Sequence, residues 1–524
     1  MRFIIKFIPF FALLLVMQAC DTTRKASGGD DSIIEITFLQ MNDVYEISPL
    51  SDGTGGMSRV GTIRKELIAQ NQNTFTVLAG DFISPSVIGS LKYQNVNIRG
   101  KQMIEVMNAL GVDWVTFGNH EFDYSKLSDL QARIDESNFL WMGANARLVT
   151  EAGAAPVPFF KNRPTGKTVC PDEIILTVKD ADGTIIKLGL FGVLTDTGKK
   201  DWITYTDWME AAQKSREKLR AQNVDVVVGL THLLAADDIK LAEALPDVPL
   251  IMGGHDHENQ IYRVGNSVVA KADANARTVY VHHITYNKKT KKATLTSELR
   301  QVNGSIQDDP TTAAAVAKWE KIKTESLTSS GFSPTTIVTT LTAPLDCRET
   351  IVRNQQAPAG DLITKSMLAA AKTKPEIAFF NAGSIRVDDV LTGPVYELDI
   401  VRMLPFGGGI SEMEMSGALL KRTLDVGKSN KGIGGYLQLS TNITENGGNW
   451  LIKQKAIDPA KMYRVVIADF LLTGNEQNLG FLAATDAAGK VNPDIKVIYR
   501  ADSNDKNDIR GDMRKVLIQY WKGK

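Results

Sequence analysis

Residues 117–124 read FGNHEFDY. They place Asn119, His120 and Asp123 directly behind an apolar run, GVDWVTF, at residues 111–117. Asparagine and aspartate are turn formers, so a cluster of this kind also fits an ordinary surface turn with a bystander histidine. The chain has only six histidines in 524 residues. The stretches on either side of this one decide between the two readings.

From Ile33 to Val302 apolar runs alternate with helix-patterned segments. The runs are IIEITFL (33–39), TFTVLA (74–79), VDWVTF (112–117), KLGLFGVL (187–194), DVVVGL (225–230) and VPLIMG (248–253). Between them lie MSRVGTIRKELIAQNQ (57–72), RGKQMIEVMNALG (99–111), SREKLRAQN (215–223) and DIKLAEAL (238–245). Nearly continuous Val/Leu/Ile runs separated by helices predict strands buried on both faces, hence a largely parallel or mixed sheet in α/β layers. Toward residue 300, NSVVAKA, RTVYVHHITYN and ATLTSELRQV predict an antiparallel finish. DDPTTAAAVAKWEKIKTES (308–326) has an aspartate at its cap and a proline in its first turn. It predicts a helix that links domains. The expected organisation is an α/β domain over 33–302, a linker helix within 303–335, and a second α/β domain over 336–524.

The strand ends carry the chemistry. IIEITFLQ is followed by MND with Asp43, TFTVLA by GD with Asp81, and VDWVTF by GNHEFD. DVVVGL is followed by TH with His232, and VPLIM by GGHDH with His255 and His257. Each alone has a plain reading as a turn, a cap or a polar loop. Together they put Asp, Asn or His at five strand ends, and such ends converge in one crevice of an open α/β sheet. A mixed Asp/Asn/His set suits Zn, Mn, Fe, Ni or Co better than Ca or Mg, which prefer oxygen shells. Two divalent cations sharing one carboxylate is the economical arrangement, and such a pair can clamp both oxygens of an in-line phosphoryl displacement. His282 and His283 are neighbours on one strand and face opposite sides, so they are read as structural.

The ordered set ND, GD, GNHEFD, TH, GGHDH resembles the calcineurin-like metallophosphoesterase pattern. In the second half FFNAGSIR and VRMLPFGGG resemble the C-terminal domain of bacterial and animal 5′-nucleotidases, a family that includes periplasmic UDP-sugar hydrolases. The resemblance implies that Asp43, Asp81 and His257 hold the first metal. It implies that Asp81, Asn119, His232 and His255 hold the second, Asp81 bridging. His120 is then no ligand: it faces the scissile phosphate, oriented by Asp123, and a metal-bridging hydroxide attacks. Asn381 and Arg386 match the family's substrate pocket, and Phe406 and Phe470 match the aromatic pair that stacks a base. For each phenylalanine, plain core packing is the competing reading.

There are two departures. The family's first motif is usually Asp-x-His, and here Tyr45 stands where the histidine is expected. Tyr45 ligating as a phenolate, Glu46 substituting, or a site one ligand short all remain open. Past Phe470, TGNEQN replaces the Gly-Gly-Asp ribose element, with Glu476 the nearest stand-in. The reading is a 5′-nucleotidase hydrolysing nucleoside phosphates. Its rivals are a phosphoesterase acting on nucleotide diphosphate sugars, 2′,3′-cyclic nucleotides or a non-nucleotide ester, and a non-catalytic nucleotide-binding lipoprotein.

Composition and the N-terminus complete the expectations. Sixty Lys and Arg balance sixty Asp and Glu, which argues against a broad surface for a nucleic-acid polymer. Arg2 and Lys6 precede FIPFFALLLVM, an uncharged run of 11 residues. It is short for a membrane span and fits a secretory signal, residues 1–19. QAC then resembles a lipobox, with Cys20 lipidated as a membrane anchor and DTTRKASGGDD as a tether. Loss of Arg2 and Lys6 with the signal leaves 58 basic against 60 acidic residues, a net charge of −2. The expected location is periplasmic or cell-surface. Cys170 and Cys347 are expected as free thiols.

Overall fold

Twelve strands over the first 301 residues form two six-stranded sheets packed face to face. The structure, a computed structural model, describes residues 31–151, 153–197, 200–486, 488–501, 505 and 507–523. The signal segment, Cys20 and tether residues 21–30 lie outside the described residues.

The strands are β1 (Ile33–Met41), β2 (Thr74–Ala79), β3 (Trp114–Thr116), β4 (Leu140–Met142), β5 (Glu173–Lys179) and β6 (Ile185–Leu194). Then come β7 (Val226–His232), β8 (Leu250–Gly253), β9 (Gln260–Val264), β10 (Ser267–Lys271), β11 (Thr278–Asn287) and β12 (Lys292–Gln301). One sheet runs β12-β11-β1-β2-β3-β4 and the other β5-β6-β7-β8-β10-β9. β1 to β4 pair in parallel, as do β6, β7, β8 and β10. Alternation along β1 sets the layers. Ile34, Ile36 and Phe38 join Leu188, Leu190, Val228 and Leu230 of the facing sheet. Leu39 and Met41 turn outward to a helical layer.

That layer is built from helices α1 (Met57–Gln70), α2 (Lys101–Leu110) and α3 (Pro310–Ser329). α2 stops at Gly111, which takes the left-handed conformation at φ 86° that a helix C-cap favours. α3 starts at Asp309, whose side chain accepts the Thr312 N–H, with Pro310 in the first turn. This linking helix does not stand free. It lies against α1 and α2 and buries Trp319.

The antiparallel finish needs correction at its first strand. β11 and β12 are antiparallel as expected. NSVVAKA, as β10, instead continues the parallel part of its sheet beside β8. It does have an antiparallel neighbour, but this is β9 (QIYRV), a strand outside the three expected runs. Alternation reports which face a residue takes, not the direction of a strand distant in sequence.

The second domain centres on a five-stranded mixed sheet. With β13 (Ile377–Asn381), β14 (Ile410–Ser416), β15 (Leu437–Leu439), β16 (Met462–Ala468) and β17 (Ile495–Arg500), its order is β15-β13-β16-β14-β17. Cys170 and Cys347 are buried free thiols. No helix among the described residues is long and apolar enough to cross a membrane.

Candidate active site

The five strand ends do converge. Asp43 and Asp81 each sit two residues beyond their strand, Asn119 three beyond β3, and His232 closes β7. His255 and His257 follow β8. Asp43, Asp81, His255 and His257 all have left-handed backbone, at φ 52°, 60°, 82° and 51°. Non-glycine residues rarely adopt it, and such strain gathers at functional sites. The glycines beside them are required by crowding. A Cβ on Gly118 would stand 2.2 Å from Asp81 Oδ1, and one on Gly254 would stand 2.2 Å from the Ala79 carbonyl oxygen.

Asp81, His232 and His255 bring ligand atoms within 4.8 Å of one another. His232 Nδ1 donates to the Ala79 carbonyl at 2.7 Å, so Nε2 is the nitrogen left to hold either a proton or a cation, and it lies 3.1 Å from Asp81 Oδ2. Asn119 Oδ1 is buried and has no hydrogen-bond partner. An orphaned amide oxygen in the same site as two imidazoles and a carboxylate suits a divalent cation. On the other side of Asp81, Asp43 Oδ1 lies 3.5 Å from His257 Nε2. Tyr45 Oη stands 3.5 Å from Asp43 Oδ1, 3.3 Å from Asp81 Oδ2 and 3.1 Å from His257 Nε2. Metal bonds of about 2.0–2.1 Å set tetrahedral ligand atoms roughly 3.3 Å apart. Tyr45 Oη therefore has the spacing of a fourth ligand at the first site. The residues present fit a pair of cations.

Protonation follows the same logic. Burial opposes charge on Asp43, but His232 and His257 outweigh it and hold the carboxyl well below its usual range. Asp81 is likewise held down at about 2, burial opposed by His232 and His120. Burial works against a proton on His232, yet Asp81 and Asp43 lift it to about 9. His255 is pushed down to about 4 by burial and by the charge on His232. Two buried carboxylates are thus kept ionised and draw positive charge, whether protons on imidazole or metal ions.

His120 opens a short 3₁₀ turn, His120–Phe122, which returns Asp123 to it. His120 Nδ1 lies 2.9 Å from Asp123 Oδ2, which also accepts the Ser84 hydroxyl at 2.7 Å. Arg386 crosses from the second domain and places Nη2 3.2 Å from His120 Nε2. Glu349 pairs with Arg386 at 2.9 Å and also with Arg353. Both arginines keep a buried Nε without an acceptor. Two guanidiniums with unpaired Nε–H groups thus share Glu349, and one of them stands beside His120, a donor arrangement that suits a phosphoryl group.

A calcineurin-like phosphoesterase family model matches residues 36–259, and a 5′-nucleotidase C-terminal domain model matches residues 336–484. The chain thus carries a calcineurin-like phosphoesterase domain followed by the C-terminal domain of 5′-nucleotidases. It is a metal-dependent phosphoester hydrolase, and calcineurin-like phosphoesterases use divalent metals. A 5′-nucleotidase of Bos taurus is 22% identical over 548 residues, covering 93% of this chain and 89% of its own. A trifunctional nucleotide phosphoesterase of Bacillus subtilis is 24% identical over 514 residues, or 87% of this chain, which spans only 33% of that longer protein. A 5′-nucleotidase precursor from Thermus thermophilus shares the fold at TM-score 0.71 and 20% identity, with 94% and 96% of the two chains covered.

The phosphoesterase has a cavity of about 1400 Å³ between its domains, with Asp81, Asn119 and His120 on one wall and Asn381, Arg386, Phe406 and Phe470 on another. Phe406 is 57% exposed and Phe470 41%, so neither ring is spent on core packing. Asn381 closes β13 and donates to Glu476 Oε2 at 2.6 Å. His282 bonds Gln40 and Ser297, and His283 meets Thr37, all away from the cavity. Glu46 lies 3.9 Å from Arg402 of the second domain.

Four further residues of the site carry little signal in the sequence. Glu121 accepts the N–H groups of Asp81, Phe82, Ile83 and Gly118 and so ties two ligand loops together. Its only sequence signal is its place inside GNHEFD. Glu349 and Arg353 show an i,i+4 charge pair, a pattern far commoner on solvated helices. Asp388 in RVDD carries no signal at all.

Tyr45 yields a prediction. Burial and the charges of Asp81 and Asp43 push its phenol well above the usual value, so a cation must displace the proton before the oxygen can ligate. On a reading with a cation between Asp43, Asp81 and His257, Tyr45→His should tighten it and Tyr45→Phe should loosen it, with the parent tightening as pH rises. Metal titration at two pH values checks this. Unchanged affinity and pH dependence in Tyr45→Phe would make Tyr45 a packing residue.

Proposed function

We propose that the protein is an exported, two-cation 5′-nucleotidase, anchored through a lipid on Cys20, that cleaves nucleoside phosphates to nucleoside and phosphate. The observation that carries this reading is the meeting of His120 and Arg386 from opposite domains beside the Asp81 cluster. Zn, Mn, Fe or Co fits the donor set. Asp43, Asp81, His257 and Tyr45 would hold one ion, and Asp81, Asn119, His232 and His255 the other. Bound there, the cations would supply an acidic water and neutralise phosphoryl charge.

The side chains divide the remaining work. Arg386 and Arg353 bind and orient the phosphoryl oxygens. His120, held by Asp123 through Nδ1, presents Nε2 to the leaving oxygen and donates the proton it needs. Burial opposes its proton, but Asp123 and Asp81 raise its pKa above the usual value despite Arg386. Phe406 and Phe470 offer faces for a base, and Glu476 with Asn381 offers polar atoms for a ribose. The intact dyad weighs against a non-catalytic binding lipoprotein.

Phosphate release from a panel of nucleoside monophosphates by metal-reconstituted protein tests the reading, and silence toward the whole panel would reject it. The size of the cavity, with Arg277 and Arg348 beyond the phosphoryl grip, favours one second reading. This is hydrolysis of nucleotide diphosphate sugars, and the same assay separates the two. Phe406→Ala should cost about 1–3 kcal/mol of nucleotide binding and leave p-nitrophenyl phosphate hydrolysis little changed. An unaltered ratio of kcat/KM between the two substrates would favour a non-nucleotide ester.

A further inference from the structure

His257 and Asp388 belong to different domains, yet His257 Nδ1 lies 2.6 Å from Asp388 Oδ2. We propose that Asp388 is a positioning residue of the first metal site: its carboxylate fixes the His257 ring with Nε2 toward the cation, so the affinity of that site depends on the second domain. The inference rests on the two-cation reading above.

Three features support it. An imidazole whose Nδ1–H is given to a carboxylate is locked in one tautomer and made a more basic ligand through Nε2. Nε2 of His257 faces Asp43 and Tyr45, as a ligand there must. Second, Asp388 is itself held. Its Oδ1 accepts the Glu349 N–H at 2.8 Å, and its backbone stands at φ 42°, a conformation few non-glycine residues keep. Third, the carboxylate of Glu349 pairs with Arg353 and Arg386. One connected set of groups thus runs from the first-site histidine to the phosphoryl grip, all of it beyond His257 supplied by the second domain. Neighbouring Asp389 pairs with Arg277 of the first domain at 3.0 Å, a separate contact across the same seam.

The test is a Mn²⁺ titration of the full-length protein, with free Mn²⁺ read by electron paramagnetic resonance. Asp388→Ala should weaken one of the two equivalents by roughly 10–100-fold and leave the other as in the parent. Asp388→Asn keeps an oxygen that can accept the Nδ1–H and should restore most of the lost affinity. Asp389→Ala cuts the adjacent interdomain pair but not the bond to His257, and should retain both equivalents. Parent-like affinity at both sites in Asp388→Ala would overturn the proposal. Equal weakening in Asp389→Ala would overturn it too, by making the effect one of domain contact in general. A parent that binds a single equivalent would instead reject the two-cation reading beneath it.

Discussion

His120→Asn should lower turnover by roughly 10²–10⁴-fold while the metal content of the protein stays that of the parent. The ring lies between Asp123, at 2.9 Å from Nδ1, and Arg386, at 3.2 Å from Nε2. Asparagine keeps polarity there but cannot pass a proton to a leaving oxygen. The companion variant is Asp123→Asn. Burial lowers the tendency of His120 to hold a proton, and the Asp123 charge does most to raise it. Without that carboxylate the pKa of His120 falls, so the alkaline limb of the kcat profile should move to lower pH. Steady-state kinetics across pH, with metal analysis of each variant, checks both. Loss of a metal along with activity would make His120 a ligand. A limb that stays put in Asp123→Asn would remove His120 as the acid.

Glu121→Ala should be the most destabilising single change near the site. The Glu121 side chain is buried and accepts four backbone N–H groups, at 2.8, 2.8, 3.3 and 2.6 Å. Burial and the Asp81 charge push its carboxyl up to about 7 even against those bonds. Alanine leaves all four donors buried and unpaired. At a minimum of about 1 kcal/mol per orphaned donor the loss is about 4 kcal/mol, or a fall in Tm of roughly 8 °C or more for a domain of this size. Asp81 and Gly118 are two of the four, so the ligand loops should lose register and metal should be retained less well. Glu121→Gln keeps one oxygen for one pair of donors and should fall between. Thermal denaturation of the metal-free proteins reads the effect, and a Tm for Glu121→Ala within a degree or two of the parent would refute it.

The core of the first domain was legible because period and residue type agreed along each run. IIEITFLQ, TFTVLA and DVVVGL all became strands, and the runs with period near 3.6 became helices. The end of the domain was not fully legible. NSVVAKA carries the residue types of a strand, but its parallel partner β8 was chosen by a sheet assembled from distant segments. The same limit met the side chains. Histidine, asparagine and aspartate just past a strand announce themselves, because open sheets gather such ends in one place. Beyond Gly118 for Glu121 and Arg353 for Glu349, the partners that tie Glu121, Glu349 and Asp388 into the site lie 38 to 40, 37 and 131 positions away. No spacing rule reaches that far.

The sequence alone therefore determined the layered α/β class, the linking helix, the strand-end set from Asp43 to His257 and the resemblance of the two domains to those of 5′-nucleotidases. Those follow from local periodicity and from motifs carried on contiguous residues. Only the tertiary structure decided that Phe406 and Phe470 are exposed in the cavity instead of packed in a core. It also decided that Tyr45 Oη stands within 3.5 Å of Asp43, Asp81 and His257, and that Arg386 and Asp388 reach across the domain seam to His120 and His257. The physical reason is one of range. Burial and hydrogen-bond partnership between domains depend on how segments far apart in the chain pack into one continuous core, and no periodic pattern encodes that packing.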